Sequence, residues 1–435
     1  MKFLFLLITG VALCTTNVFA QADKNVINTG DTAWILISTA LVMFMTAPAL
    51  ALFYGGLVKR KNVLSILMQC FITLALVSII WVICGYSLSF SPKALIPGFL
   101  GGFKWSFLNH VGLMPSDSYA TTIPHILFMI FQGMFAVITP ALIIGAFAER
   151  MKFVSYIVFT IAWLFLVYFP VTHWVWSTDG WLFKMGVLDF AGGIVVHITA
   201  GVAALVTAIM IGKRHFLKAT PPHNLPFTMF GAAMLWFGWF GFNAGSALGA
   251  NGIAANAFVV TNVSASVAVI VWMLLDFIYA KRATMLGAAT GAIAGLAAIT
   301  PASGYVDVKG ALAIGLVSSV ICFYMVMFVK SKLGYDDALD AFGVHGVGGF
   351  IGTIAAGIFA TPAIQSSVKG ALAGNPHQLT VQLIAAGSVA LYAGVITFVI
   401  YKVMSFFTSL RVAEEDEAMG LDVTQHNERS YTIIE

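Results

Sequence analysis

Charged residues are scarce in this chain: 9% of its 435 residues are Asp, Glu, Lys or Arg, against roughly 25% in an ordinary soluble domain. With 60% of the residues hydrophobic, that scarcity excludes a soluble globular fold. The net charge of +4 is small and sits in short loops, so the basic surface that a nucleic-acid binder needs is missing. Cysteine is rare, with four in all. Cys70, Cys84 and Cys322 fall inside apolar runs. Cys70 and Cys84 are ~21 Å apart along one helix and cannot bridge, so no disulfide framework is implied. No nucleophile–base pair or metal-ligand cluster stands out, which argues against an enzyme, and nothing calls for a cofactor.

What is present is a series of long apolar runs. The first is short: Lys2, then Phe3 to Leu13, then Val18-Phe-Ala20. It reads as a signal peptide, residues 1–20, cut after Ala20; the alternative is an uncleaved first helix. Cys14 follows the bulky Leu13 and is a poor lipoprotein cysteine. The remaining runs each supply the ~20 apolar residues that a bilayer crossing needs. Eleven spans are expected, at about 31–57, 62–90, 123–146, 151–171, 190–212, 224–250, 254–279, 284–301, 306–329, 340–360 and 378–408. The chain therefore divides into a transmembrane domain, 21–408, and a polar tail, 409–435.

Charge alternates between successive loops. Lys59-Arg60-Lys61, Arg150 with Lys152, Lys213-Arg214 with Lys218, Lys281-Arg282, and Lys330 with Lys332 occupy every second one. By the positive-inside rule these loops are cytoplasmic, which puts the mature N-terminus outside and the tail inside the cell (inner) membrane. That arrangement demands an odd number of spans, independently of the hydropathy count. Glu149 and Arg150 read as a structural pair at the cytoplasmic end of helix three. Gly287, Gly291 and Gly295, and likewise Gly348 and Gly352, recur every fourth residue and suit close helix packing.

Two histidines lie within apolar spans, each with an aspartate upstream: Asp189 before His197, and Asp340 before His345. Ionisable groups at membrane depth are costly and mark substrate or proton paths. His197 lies ~12 Å along its helix from Asp189, and His345 ~8 Å from Asp340. The two helices enter from opposite faces, so both histidines approach the middle of the membrane. That layout predicts an all-α fold with a 5+5 inverted repeat, helices one to five against six to ten, and a final helix outside it. Both aspartates also suit helix N-terminal capping, and Asp340 reads chiefly as a cap. Asp189 can in addition lend negative potential to an outer cation site.

Several longer motifs lie on these same spans: Phe131-Gln-Gly-Met-Phe135, Ala-Glu-Arg150, His173-x-x-Trp176, Asp189-Phe-Ala-Gly-Gly, Trp239-Phe-Gly-Phe242-Asn-Ala-Gly-Ser246, Thr300-Pro-Ala-Ser-Gly-Tyr and Phe-Gly-Val-His345-Gly. Their order and content closely resemble the ammonium transporter family (Amt/MEP/Rh), bacterial branch, across essentially the whole mature chain. The resemblance implies a homotrimer with one pore per subunit. It implies an outer recruitment site at Trp176, Ser246, Phe135 and Asp189, a gate of stacked Phe135 and Phe242, and a pore lined by His197, His345, Trp239 and Thr300. The tail, Gly420-Leu-Asp…His426-Asn-Glu428…Tyr431, resembles a conserved regulatory tail near which a PII-type signalling protein docks. Asn427 departs from the glycine usual there. Without the resemblance, the same tail reads as disordered.

The chemistry suits the residues. An aromatic face attracts a small cation, and a serine accepts a hydrogen bond from ammonium that potassium has no donor to make. Desolvation below the site promotes loss of the ammonium proton, which potassium lacks. Two imidazoles sharing one N–H offer ammonia both a donor and an acceptor. If they also relay the proton, charge crosses; if not, neutral ammonia diffuses. Two other functions compete. An ion-coupled carrier of a larger solute would need a roomy polar midplane site, and no cluster of polar groups lies beside the histidines. An ammonium sensor with little flux is the other alternative.

Overall fold

The computed structural model describes residues 26–215 and 221–431; the expected signal peptide lies outside the described residues. Within them, the apolar runs fold as helices, because a helix satisfies its own backbone where no water is available. Ten helices are long and apolar enough to cross a membrane, and an eleventh apolar helix is shorter. In chain order they are α1 (Thr29–Leu57), α2 (Arg60–Phe90), α3 (His125–Phe147), α4 (Phe153–Lys184), α5 (Gly193–Ile211), α6 (Leu225–Gly245), α7 (Gly252–Ala280), α8 (Met285–Ile299), α9 (Val308–Leu333), α10 (Phe342–Phe359) and α11 (His377–Phe407). The chain is a multi-pass membrane protein by this pattern. Its exposed side chains include Phe71, Ile79, Leu391 and Phe406, apolar surface that suits lipid rather than water.

Short polar side chains set where several helices begin. Asn28, Asn224, Asn251, Thr284 and Asp307 each accept the backbone N–H three residues on, at the N-termini of α1, α6, α7, α8 and α9. Pro48 breaks the α1 ladder, and Ala47 just before it leaves helical geometry.

Three differences from expectation have local causes. The helix of α4 continues to Trp176 before a turn, instead of ending at 171. His173 holds its last turn in place by a 2.9 Å contact from Nδ1 to the Ser89 carbonyl. The eighth apolar run folds as the short helix α8, ~22 Å long at 1.5 Å per residue. It is buried along almost its whole length against α7, where Gly291 and Gly295 leave no room for a side chain beside Trp272 and Ala268. A helix wrapped by protein has no need to match the lipid thickness. Finally, the fold is not wholly helical. Pro115–Ser116 (β1) pairs antiparallel with Ala120–Pro124 (β2) in the loop between α2 and α3. Thr121, Thr122 and Ile123 supply the β-branched run that favours a strand.

The histidine-bearing helices α5 and α10 cross in close contact. A Cβ on Gly201 would sit 2.2 Å from the Gly346 backbone, and one on Gly349 would sit 2.7 Å from the Gly193 carbonyl and 2.9 Å from His197 Cβ. Each helix opens with a widened π-type turn, Gly193–Ile198 in α5 and Phe342–Gly346 in α10, and each such turn contains the histidine. Turns of this kind are rare and concentrate at functional positions.

The tail folds back on the face where α2 begins. It forms two short helices, α12 (Glu414–Met419) and α13 (Leu421–His426). Asn62 Oδ1 accepts from Leu421 N at 2.8 Å, and Asp422 Oδ1 accepts from Ser65 N at 2.9 Å. A second attachment joins Val412 N to the Arg150 carbonyl at 2.9 Å.

Candidate functional site

Three cavities lie in line through the bundle. The first, called outer after the expected orientation, has a volume of 380 Å³ and is walled by Phe135, Trp176, Asp189 and Ser246, with Gln132 and Tyr119. The middle one has a volume of only 10 Å³ and is bounded by Phe242, Trp239, His197 and His345 among aliphatic side chains. The inner one, 190 Å³, shares Phe53, Ile293 and His345 with the middle one and opens towards Arg214 and Asp340. A space near 10–15 Å³ by this measure admits about one water molecule. The path is therefore wide, then one molecule wide, then wide again.

At the outer cavity, the Trp176 and Phe135 rings meet edge to face with centres 5.7 Å apart. Phe135 and Phe242 lie 4.5 Å apart, tilted by 47°, and close the floor. Phe135 and Phe242 are 1% and 0% exposed, so the floor is shut. The Trp176 indole N–H donates to the Asp189 carbonyl at 2.9 Å, which fixes the ring. Ser246 Oγ donates to the Phe242 carbonyl at 2.9 Å and keeps its lone pairs available.

Asp189 acts mainly on its own helix. Its two carboxylate oxygens accept from Gly192, Gly193, Ile194 and Val195 N–H groups at 2.6–3.1 Å. This is an N-terminal cap of the kind that meets the positive end of the dipole, and it leaves the carboxylate saturated beside the cavity rather than open to a ligand.

Below the floor, His197 stacks between neighbours. Its ring lies 6.1 Å from Phe242, 5.6 Å from Trp239 and 5.2 Å from His345, the last within 11° of parallel. Trp239 is held by its indole N–H, which donates to Thr300 Oγ1 at 2.9 Å. Both ring nitrogens of His197, and Nδ1 of His345, are buried without a hydrogen-bond partner among the described residues. The shared N–H expected between the imidazoles is thus not formed in this arrangement, and the nitrogens are left free to meet a solute. Unpaired buried polar atoms are costly and call for an explanation of this kind.

The expected partner roles of Asp340, Glu149 and Arg150 need correction. The cap of α10 is Asp337, whose Oδ2 accepts from Phe342 N at 2.8 Å. Asp337 stands eight residues before His345, the same spacing as Asp189 before His197. Asp340 adopts a φ of 59° and pairs with Lys330 instead. Burial, with Asp340 adding to it, pushes the Asp337 carboxyl up to about 6. Glu149 and Arg150 do not pair with each other. Arg150, 0% exposed, binds Asp336 at 2.9 Å, while Glu149 binds Arg214 at 3.0 Å, and Arg214 also binds Asp336 at 2.8 Å. A positive φ of 71° at Glu149 turns the two neighbouring side chains to different partners.

Two glutamines take positions that no motif role covers. Gln382 on α11 is 0% exposed. It accepts from Leu188 N at 2.8 Å and donates to Leu188 O at 2.7 Å. Helix α11 thereby pins the residue next to Asp189. The only sign in the sequence is a pair of amides one turn apart, Gln378 and Gln382, at the start of an apolar span. Gln132 lies inside a motif already singled out, one turn before Phe135. Among the described residues, no cluster of His, Cys, Asp or Glu is arranged to hold a metal.

Such an arrangement, a helical membrane bundle with a cavity at each end of a narrow apolar constriction, suits passage of a very small solute. The sequence matches the Ammonium Transporter Family over residues 33–431, and the chain belongs to that family. It is 50% identical over 403 residues, 92% of this chain and 98% of the other, to an ammonium transporter of Bacillus subtilis (strain 168). Its fold is similar to the crystal structure of Saccharomyces cerevisiae Mep2, with a TM-score of 0.84 and 35% identity over 89% of this chain and 88% of that one. A structure described as a sensor Amt protein is also similar, with a TM-score of 0.84 and 29% identity over 91% and 98% of the two chains.

Proposed function

We propose that the protein moves ammonium across the membrane by passing it as ammonia through the constriction. Ammonium is held in the outer cavity against the Trp176 and Phe135 rings, with Ser246 accepting one of its N–H groups. Asp189 contributes by capping α5 and by holding the Trp176 indole through its carbonyl. Phe135 and Phe242 swing aside for a stripped solute and exclude a hydrated ion. Entering the apolar lumen favours the neutral form, so N–H heterolysis leaves ammonia and a proton. Ammonia then exchanges hydrogen bonds with the unpaired nitrogens of His197 and His345, beside the Trp239–Thr300 wall. The proton either stays in the outer solution, making the event neutral, or follows the imidazoles inward, carrying one charge. The chain acts by binding and passage and makes no covalent change beyond this proton loss.

The proposed setting is the cell (inner) membrane, with eleven crossings, the mature N-terminus outside and the tail inside. Helices α1–α5 and α6–α10 form inverted halves, a reading supported by the matched Asp189/His197 and Asp337/His345 spacings. The functional unit is a homotrimer. A PII-type protein is the proposed partner at the inner face, near the docked tail.

The observation that carries this reading is the 10 Å³ lumen with unpartnered imidazole nitrogens in its wall. The experiment is current measurement on supported membranes for the parent and for His197→Ala, with ammonium and with potassium. The parent is expected to give a current with ammonium, or ammonium uptake without current if passage is neutral, and neither with potassium; His197→Ala loses that selectivity or that transport. Equal, non-zero currents with both ions would overturn it. The likeness to a sensor Amt protein favours one other reading, ammonium binding with little flux; its signature is saturable binding without current or uptake.

A further inference from the structure

We infer that Gln132 is a second hydrogen-bond acceptor for ammonium in the outer cavity, set opposite the task of Ser246. This inference rests on the proposed function and names a ligand that the motif roles leave out. Phe128, Gln132 and Phe135 follow one another at helical spacing on α3, and all three line the cavity. The Gln132 side chain therefore stands on the same wall as the Phe135 ring, one turn further out.

Its chemistry is uncommitted. The amide makes no hydrogen bond among the described residues, and its oxygen is buried without a partner. A buried amide oxygen left unpaired is destabilising, and such groups persist mainly where a ligand or water completes them. Turning the amide over exchanges its oxygen and nitrogen between the wall and the cavity. No partner in the wall favours either orientation, so the content of the cavity decides. A cation with N–H donors selects the carbonyl, because a hydrogen bond to a charged group is stronger than one to a neutral group.

The geometry of the guest makes the need concrete. Ammonium has four N–H donors arranged as a tetrahedron. Ser246 accepts one, and the Trp176 and Phe135 rings stabilise the charge without accepting in a fixed direction. A carbonyl on the α3 wall accepts another. Potassium draws no directional benefit from either oxygen, so the same carbonyl sharpens selection for a protonated amine.

The test uses the full chain in proteoliposomes on supported membranes, titrated with ammonium chloride against a potassium chloride control. Gln132→Met removes the amide at similar volume, and Gln132→Glu keeps an acceptor. In Gln132→Met the half-saturating ammonium concentration rises roughly tenfold, the scale of one hydrogen bond to a charged donor. Its maximal current stays within about twofold, the pattern of lost ground-state binding. Gln132→Glu remains at or below the parental half-saturation. An unchanged half-saturation in Gln132→Met overturns the inference, as does a collapse of maximal current in both variants at constant half-saturation. A binding titration of detergent-purified protein, read by tryptophan fluorescence with ammonium chloride, separates this from the pore reading. If the parent binds ammonium but shows neither current nor ammonium uptake, the transport proposal fails while the Gln132 effect on binding still stands or falls alone.

Discussion

The imidazoles of His197 and His345 lie 11° from parallel with their centres 5.2 Å apart, and the helices that carry them approach each other closely at Gly201 and Gly346. The closeness of α5 and α10 is therefore a property of Gly201 and Gly346 as much as of the histidines themselves. Small residues at a crossing let two backbones approach, and any side chain placed there acts as a spacer.

Gly201→Ala tests that dependence. Its methyl group would stand 2.2 Å from the Gly346 Cα, which is backbone and cannot rotate away. Overpacking of this sort costs about 1–3 kcal/mol. The expected result is a folded but less stable protein whose ammonium current falls by roughly tenfold or more, since a displacement near 1 Å in a positioned site has large effects. Thermal unfolding and supported-membrane currents measure the two effects separately. Parental current in this variant would show that the ring spacing is not set at this crossing.

Asp336 is expected to control stability where the ends of α3 and α9 meet. Burial opposes its ionisation, but Arg150 and Arg214 outweigh burial and hold the carboxyl below the usual range. Asp336→Asn leaves Arg150, 0% exposed, without its charge partner, a change that costs about 3–5 kcal/mol. A carboxylate with a lowered folded pKa stabilises at any pH above its ordinary value of about 4, and that stabilisation is lost as pH falls through the folded value. The gap in unfolding temperature between parent and Asp336→Asn is thus constant from neutral pH down to about 5, and narrows below about 4.

The tail is predicted to depend on one glycine. Gly420 has a φ of 111°, and a Cβ there would lie 2.7 Å from the Lys61 carbonyl. Both the backbone conformation and the space exclude alanine without movement. Gly420→Ala should loosen α12 and α13 from α2, and trypsin should then cut at Arg411 and Arg429 several-fold faster than in the parent. Mass spectrometry of the fragments over time reads this directly. Equal cleavage rates would mean that Asn62 and Asp422 hold the tail without help from the close approach.

Much of this architecture is legible in the sequence, because lipid solvation leaves a strong signature in each helix. The apolar runs locate the helices to within a few residues, and the histidines stand out as ionisable groups in an apolar setting. The stacking of Phe135 on Phe242 is not legible from spacing, since a phenylalanine in the pore and one in the core look alike; the family resemblance supplies that expectation. The capping aspartate of α10 differs from the sequence expectation for a physical reason. Asp337 and Asp340 are both near the helix start, and the left-handed backbone at Asp340 that sends it to Lys330 is invisible in composition. Only the repeated eight-residue spacing distinguishes them. The partners of Glu149, Arg150 and Gln382 are remote in sequence, so their roles emerge only when the chain is folded.

A lumen with room for one small molecule has a consequence for the cell as well as for the solute. Travellers must go in single file, and each one blocks the next until it leaves. Water entering such a tube has to abandon its own network, with only a pair of rings to greet it. Many copies can therefore sit in one membrane without turning it into an osmotic leak.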